Sequence, residues 1–269
     1  MMKRLSILHG LSLMILLLLA PLSVADPMST VSVTLTGTGY NNVTDLSVIA
    51  SYSSAFVWDS LGNWASDSMN GATDTNASAT IASASGSTKT ESFYVHSEGS
   101  ATPPTNVGSW VSYGGPYPAP SWAQAQGASQ QWEFQAAADG VVTFDSFLDY
   151  SFDLQTDAQG ERAYGYFQAH VQMWIKSETW LYEFCGDADL QLNPGVQDGA
   201  DYFLTESAVP FSVVSTTPFS SGQEGMFSLS LVHSQGAYTE GNPVVPAPAA
   251  VLLSMVGLVS AGLKLRRFV

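Results

Sequence analysis

Apolar and polar residues alternate along much of the central chain with a period of two, which leaves every second side chain of an extended segment on one face. Thr30 to Thr36 is the simplest case: Val31, Val33 and Leu35 lie on one side, and Ser32, Thr34 and Thr36 on the other, as in a half-buried strand. From Val142 the even positions Phe144, Leu148, Tyr150, Phe152 and Leu154 form an apolar row against Thr143, Asp145, Asp149, Ser151 and Asp153, with Phe147 the exception on the polar side. The pattern resumes after Thr156 to Glu161 with Phe167, Ala169, Val171, Met173 and Ile175. These two runs predict a long antiparallel hairpin closed by Asp157-Ala158-Gln159-Gly160. Phe227, Leu229 and Leu231, alternating with Ser228 and Ser230, predict another strand within Met226 to His233, and Phe211 to Val214 a short one.

Elsewhere the pattern is weaker. Gly37 to Asn42 reads as a turn, Asp45 to Trp58 as a stretch of β-branched and aromatic residues, and Asp59 to Asn63 as a loop. Met69 to Ser100 is dominated by Ser, Ala, Thr and Gly. It reads either as solvated loop or as two thin strands, Ser78 to Ala84 and Thr90 to His96, the second supported by Phe93 and Val95. Pro103, Pro104, Pro116, Pro118 and Pro120 make Ala101 to Gln126 a long surface loop. Its Trp110, Tyr113, Tyr117 and Trp122 either fold back onto the sheet or offer stacking surface to sugar rings. Gly236 to Pro243 reads as a polar tether. The fold class expected is all-β, a single antiparallel sandwich of jelly-roll-like winding, long enough to bury one core without staples.

Both ends of the chain depart from this pattern. Lys3 and Arg4, the apolar run Leu11 to Ala20, and the small-residue site Ser23-Val24-Ala25 have the three-part form of a secretory signal peptide cleaved after Ala25. At the other end, Val244 to Leu263 carries no charge, and as a helix it would be about 30 Å long, the thickness of a bilayer's hydrocarbon core. Pro246 and Pro248 move the helix start to near Ala249 and leave a span of about 15 residues, short for a permanent anchor. Lys264, Arg266 and Arg267 follow, and by the positive-inside rule they stay in the cytoplasm.

Pro246-Ala247-Pro248, an apolar span and a terminal basic cluster, in that order, resemble the PEP-CTERM sorting signal of exported bacterial proteins, with Ala247 where that family usually has Glu. The resemblance is confined to the segment Val244 to Val269. It implies processing by an exosortase, a membrane-embedded cysteine transpeptidase or protease, which removes the tail and releases or re-anchors the protein. A plain carboxyl-terminal membrane anchor is the alternative. The implied organisation is a signal peptide over 1–25, a sandwich domain over 26–235, a polar linker over 236–245, and a sorting signal with a transmembrane helix over 246–269.

Without the two terminal segments the charge changes. Only Lys89, Arg162 and Lys176 then stand against all 23 acidic residues, a formal charge of −20. Such a field repels nucleic-acid backbones and anionic lipid, and keeps an extracellular protein soluble. Cys185 is the single cysteine, so no disulfide closes within the chain; its neighbours Leu181, Tyr182 and Phe184 suggest a small buried residue.

Candidate chemistry is sparse. Asp145, Asp149 and Asp153 share a strand face, but successive ones are about 13 Å apart, too far to ligate one Ca²⁺. Asp187, Asp189, Asn193, Asp198 and Asp201 sit near Gly turns and form a candidate Ca²⁺ loop, without the EF-hand order. His96, His170 and His233 lack the spacing of a metal-binding helix. Glu178 and Glu183 flank Trp180 and Tyr182 as a glycosidase pair might, but an offset of five puts them on opposite faces of a strand. The expectation is therefore a non-enzymatic structural component of the cell surface, extracellular polymer or biofilm matrix. Its expected partners are signal peptidase and exosortase during a transient inner-membrane stage, and extracellular polysaccharide. A secreted saccharide-binding module, and behind it a polysaccharide hydrolase, are the alternatives.

Overall fold

The computed structural model describes residues 27–59, 61–102, 110–112, 115–117, 119–157, 159–179 and 181–239. The first half of the chain forms β1 (Met28–Asn41), β2 (Val43–Asp59), β3 (Trp64–Gly71), β4 (Thr75–Ile81), β5 (Ala84–Glu91), β6 (Tyr94–Ala101), β7 (Trp110–Ser112) and β8 (Gly115–Tyr117). The second half forms β9 (Ala119–Ala136), β10 (Thr143–Gln155), β11 (Glu161–Lys176), β12 (Tyr182–Leu192), β13 (Gly195–Gln197), β14 (Asp201–Pro210), β15 (Val213–Val214) and β16 (Glu224–Thr239). There is no helix among the described residues, and so none long and apolar enough to cross a membrane, which says nothing of a barrel of strands. The predicted carboxyl-terminal helix, Ala25 and the residues Pro246, Ala247, Pro248, Lys264, Arg266 and Arg267 lie outside the described residues.

Two antiparallel seven-stranded sheets pack face to face. The first runs β14-β10-β1-β6-β5-β4 with β15 beside β10; the second runs β12-β11-β16-β9-β2-β3 with β13 beside β11. The alternation read from the sequence sets which residues face inward. Val31, Val33 and Leu35 of β1, and Phe144, Leu148, Phe152 and Leu154 of β10, are 2% exposed or less, while Asp145, Phe147 and Asp149 face solvent.

The predicted hairpin does not form. β10 pairs with β1, β14 and β15, whereas β11 pairs with β12, β13 and β16 in the opposite sheet. The chain crosses the sandwich between them, and the two apolar rows meet through the core, with the Phe152 and Phe167 rings 5.6 Å apart. Each strand buries its row against the other sheet; β10 takes hydrogen bonds from β1, distant in sequence, and β11 from β12, the next strand, and from distant β16.

Other boundaries move as well. β1 continues through Gly37 and Gly39 with a bulge, and the chain turns at Asn42, whose φ is 61°. Asn42 Nδ2 donates to the Ala138 and Val141 carbonyls, and its Oδ1 accepts the Ala138 amide. Met69 to Ser100 holds the meander β4, β5 and β6, and the predicted strand Thr90 to His96 is broken by a turn at Phe93, where φ is 57°. The expected loop from Ala101 to Gln126 instead carries the small β7–β8 pair and the first part of β9. Proline is tolerated at Pro120 because β2 ends its pairing one residue later, at Ser121, leaving that side of the strand without a ladder. Gly236 to Thr239, expected in the tether, are the last residues of β16.

The interior divides into two chemically distinct parts. Between β1, β10, β11 and the adjoining parts of β9 and β16 lie Trp132, Phe134, Phe144, Phe152, Phe167 and Phe227, all nearly sealed from solvent. Phe227 sits at their centre, its ring 4.6 Å from Phe144, 5.2 Å from Trp132 and 5.6 Å from Phe134. Burying a side chain of this kind contributes roughly 1.5–3 kcal/mol. Between β4, β5, β6 and β2, by contrast, the apolar cluster is Ala55, Val57, Ala79, Ala84, Ala101 and Ala237, and it is interleaved with buried hydroxyls. Ser53 Oγ and Thr75 Oγ1 lie 2.7 Å apart, Thr75 Oγ1 and Thr90 Oγ1 2.8 Å, and Thr88 Oγ1 donates to the Ser54 carbonyl at 3.1 Å.

Candidate functional site

In the polar part of the interior β6 brings Ser97 against His233 of β16, both 0% exposed. Ser97 Oγ and His233 Nδ1 are hydrogen-bonded. His233 Nε2 and both amide atoms of the neighbouring Gln235 have no hydrogen-bond partner. Burial first, and then the neighbouring His96, push the His233 imidazole down to about 3 from its ordinary 6.5; the nearby Gln235 amide acts in the opposite direction. A neutral His beside a Ser has the residue types of a nucleophilic couple. Complete burial of both denies a substrate access to it, so it belongs to the packing of the sheets.

The other candidate groups are dispersed. Asp187 and Asp189 stand on β12, and Asp198 follows β13, where its Oδ1 accepts the Gly160 amide at 2.8 Å. Asp189 accepts Gln168 Nε2 at 2.9 Å and Asp187 lies 3.5 Å from His170 Nε2. Asn193 follows β12 and Asp201 opens β14. Among the described residues no three His, Cys, Asp or Glu side chains gather as a metal site. The residues of the expected Ca²⁺ loop are spread along β11, which pairs Gln172 with Asp187 near one end and Arg162 with Gln197 at the other. Glu178 lies in the turn after β11, and Glu183 is exposed on β12. Cys185 is free and 1% exposed, and burial pushes its thiol up to about 11, which makes it a poor nucleophile.

Of the four aromatic residues proposed to meet sugars, Tyr113 lies outside the described residues. Trp110 and Tyr117 are opposed in the β7–β8 ladder, and Trp122 holds a ladder position in β9, opposite Trp58 of β2 and Gly236 of β16. That register exposes an arrangement the sequence did not suggest. Trp58 also opposes Trp64 of β3, and Gly236 opposes Tyr164 of β11. One line across the second sheet therefore reads Trp64, Trp58, Trp122, Gly236, Tyr164.

Trp58 and Tyr164 lie on the outer face of the sheet, because the alternate residues Val57 and Ala163 are buried at 1% or less. Trp64 is 67% exposed. The Tyr164 ring lies against Gly236, where a Cβ would come within 2.5 Å of it; the Tyr238 ring stands 6.5 Å further, with Arg162 Cζ 5.8 Å from its centroid. Burial, then the nearby Tyr238, pushes the Tyr164 hydroxyl up to about 12, so it stays a neutral donor. Asp59 sets the Trp58–Trp64 end: its Oδ1 accepts the Leu61 and Asn63 amides, and its Oδ2 accepts Asn63 Nδ2 and Ser83 Oγ. Burial alone would raise that carboxyl, but these hydrogen bonds hold it below its usual range. Beside the line, Tyr52 and Phe56 flank Ser54 over a groove of about 590 Å³ that Ser66, Ser68 and Asp67 complete.

No protein-family model and no curated protein matches this chain. Among solved structures it is similar to vicilin from tomato, Solanum lycopersicum, at 8% identity over 81% of this chain and 73% of that one, with a TM-score of 0.12. Oxalate decarboxylase of Lactobacillus farciminis is 10% identical over 81% and 78%, with a TM-score of 0.13. A structure of infectious bursal disease virus is 9% identical over 90% and 74%, with a TM-score of 0.14. Likeness this slight transfers neither a fold nor an activity.

Proposed function

We propose that the protein is an exported structural component of the cell surface or extracellular matrix, carried out by its amino-terminal signal and processed by an exosortase at its carboxyl-terminal one. The observation that carries the proposal is the order of features at the tail: Pro246-Ala247-Pro248, an uncharged span, then Lys264, Arg266 and Arg267. The excess of 23 acidic over three basic residues between the two signals suits a hydrated extracellular polymer and disfavours a nucleic-acid partner. The antiparallel winding, with β1 on β10 and β2 on β9, supports a single sandwich of jelly-roll-like form as the exported body.

Intact-mass spectrometry of protein recovered from the producing cells and from their medium tests the proposal. The expected species lacks residues 1–25 and ends before Lys264. Extracellular protein that retains Arg266 and Arg267 would refute the sorting signal.

A further inference from the structure

We propose that His233 is an acid-sensitive clasp: a proton on its ring releases β4, β5 and the Ser97–Ala101 end of β6 from the second sheet and lets them unfold, while the sheets stay joined around Phe227. The device follows from what surrounds the ring and from how these three strands are attached.

His233 belongs to β16, and its hydrogen bond with Ser97 Oγ reaches across the interior to β6. Both side chains are sealed from solvent. In register, Phe167 and Ala125 stand beside His233, and Val33 and Thr88 beside Ser97; Gln235 is the next inward residue of β16. Hydroxyl, amide and apolar groups therefore face the ring. Among the described residues the buried carboxylates are Asp59 and Glu161, in register with Ala237 and Thr239 further along β16. Both are engaged there, Asp59 by Leu61, Asn63 and Ser83, and Glu161 by the Asp157 amide.

The other charged groups of the surrounding strands stand on outer faces or at far ends. These are His96 and Glu98 of β6, Lys89 and Glu91 of β5, His170 and Arg162 of β11, Glu133 of β9 and Glu224 of β16, while β1 and β4 carry no charged residue. A charge on His96 opposes one on His233. An imidazolium in the closed sandwich would thus sit among neutral groups, without a counter-ion, which burial strongly disfavours. Once the strands part, water solvates it. The open form then binds a proton that the closed form refuses, so acid below about pH 6.5 favours opening, roughly tenfold per pH unit. Asp59 stays ionised over this range, so its bond to Ser83 is lost only at more acid pH.

β4, β5 and β6 follow one another in the chain and form one side of the first sheet, joined to the rest of it by the β1–β6 ladder. Ala77, Ala79, Ala84 and Ala101 supply much of their buried apolar surface, and hydrogen bonds such as Ser53 with Thr75 and Thr88 to Ser54 tie them to β2. Parted from the second sheet, thin strands of this kind do not hold their ladders in water. The other end is fixed differently: Phe93, in the β5–β6 turn, stacks on Trp132, and Val95 joins the aromatic cluster. Opening therefore pivots at Phe93 and leaves the contacts of Phe227 in place.

Hydrogen exchange followed by mass spectrometry on the whole exported protein between pH 7 and 4.5, with rates corrected for the intrinsic chemistry of exchange, tests the proposal. Peptides from Thr75–Glu91 and Ser97–Ala101 should lose protection about tenfold per pH unit below 6.5. Peptides from β10 and β11 should remain better protected at every pH. His233→Gln should abolish the slope in the first group, and His96→Gln should keep it. A flat profile in the wild type, equal protection of both groups at every pH, or a slope unchanged in His233→Gln overturns the proposal, and so does a slope lost in His96→Gln alone. If His233→Gln does not fold, the wild type still decides: ring resonances of labelled histidine should show His233 neutral at pH 5 in the closed form. A charged ring there, with β4 to β6 still protected, overturns the clasp.

Discussion

The two parts of the interior solve one packing problem with opposite chemistry. Around Phe227 the sheets are held by large rings in contact, Trp132 stacked on Phe93 at 5.0 Å and Phe144 at 4.6 Å from Phe227. Under β4, β5 and β6 they are held by alanines and by chains of hydroxyls such as Ser53, Thr75 and Thr90. The first kind of core gains from area removed from water and from close contact between the rings. The second gains little from area and depends on each polar atom meeting a partner, because a buried donor or acceptor left alone costs about 1–3 kcal/mol. His233 and Gln235, with unmatched ring and amide atoms, are where the second core is least satisfied. The difference teaches that stability is concentrated at one side of the sandwich, and geometric precision at the other.

Phe227→Ala should show the largest effect. It removes a ring buried among Trp132, Phe134 and Phe144, and a loss of about 3–5 kcal/mol is expected in denaturant-induced unfolding. A loss no greater than that of a small-residue change beneath β5 would remove the distinction between the two cores. The next effect belongs to the polar side and depends on pH. His233 titrates at about 3 in the folded protein against an ordinary 6.5, so between these values the unfolded chain takes up a proton that the folded one refuses. Stability is therefore complete above about pH 6.5 and declines as pH falls toward 3, by up to about 1.4 kcal/mol per unit. Asp59, held below its ordinary 3.8, adds to the decline only at more acid pH. Unfolding followed from pH 7 to 4.5 should show the slope in the wild type and lose it in His233→Gln; an unchanged slope in that variant would assign it elsewhere.

The sequence showed inward faces well and partners poorly. Alternation alone marked Val31, Val33 and Leu35, the even row of β10 and the odd row of β11 as core, and all are buried except Tyr150, which is partly so. It could not show that β10 and β11 lie in different sheets, because a four-residue turn such as Asp157 to Gly160 serves a hairpin and a crossover equally, and the partners β1 of β10 and β16 of β11 are far apart in sequence. Phe93 misled in another way: its ring looked like strand core, yet it sits in a turn and folds back to stack on Trp132. The meander of β4 to β6 was hard to see because its core is Ala, Ser, Thr and Gly, whose low hydrophobicity resembles loop composition. The aromatic line was illegible for the same reason as the crossover, since Trp58, Trp64, Trp122 and Tyr164 become neighbours only through register; the even positions Tyr52, Phe56 and Trp58 of β2 were the one local sign.

Gly99→Ala sharpens the comparison at the smallest scale, a single methyl group. On β6 a Cβ at this position would lie 2.0 Å from Gln235 Nε2 and 2.8 Å from the Ser85 carbonyl oxygen. The first contact is with the end of a flexible side chain and can be relieved, but the second is with the backbone of β5, which the β5–β6 ladder holds in place. A cost of about 1–3 kcal/mol is therefore expected, the range for overpacking and smaller than that of Phe227→Ala. Combining it with Gln235→Ala separates the two contacts. If the polar core is as exacting as its hydrogen bonds suggest, the second substitution should recover only part of the loss, because the Ser85 carbonyl still obstructs the methyl group. Full recovery would mean that β5 yields readily, and that this side of the sandwich is less exacting than its hydrogen bonds suggest.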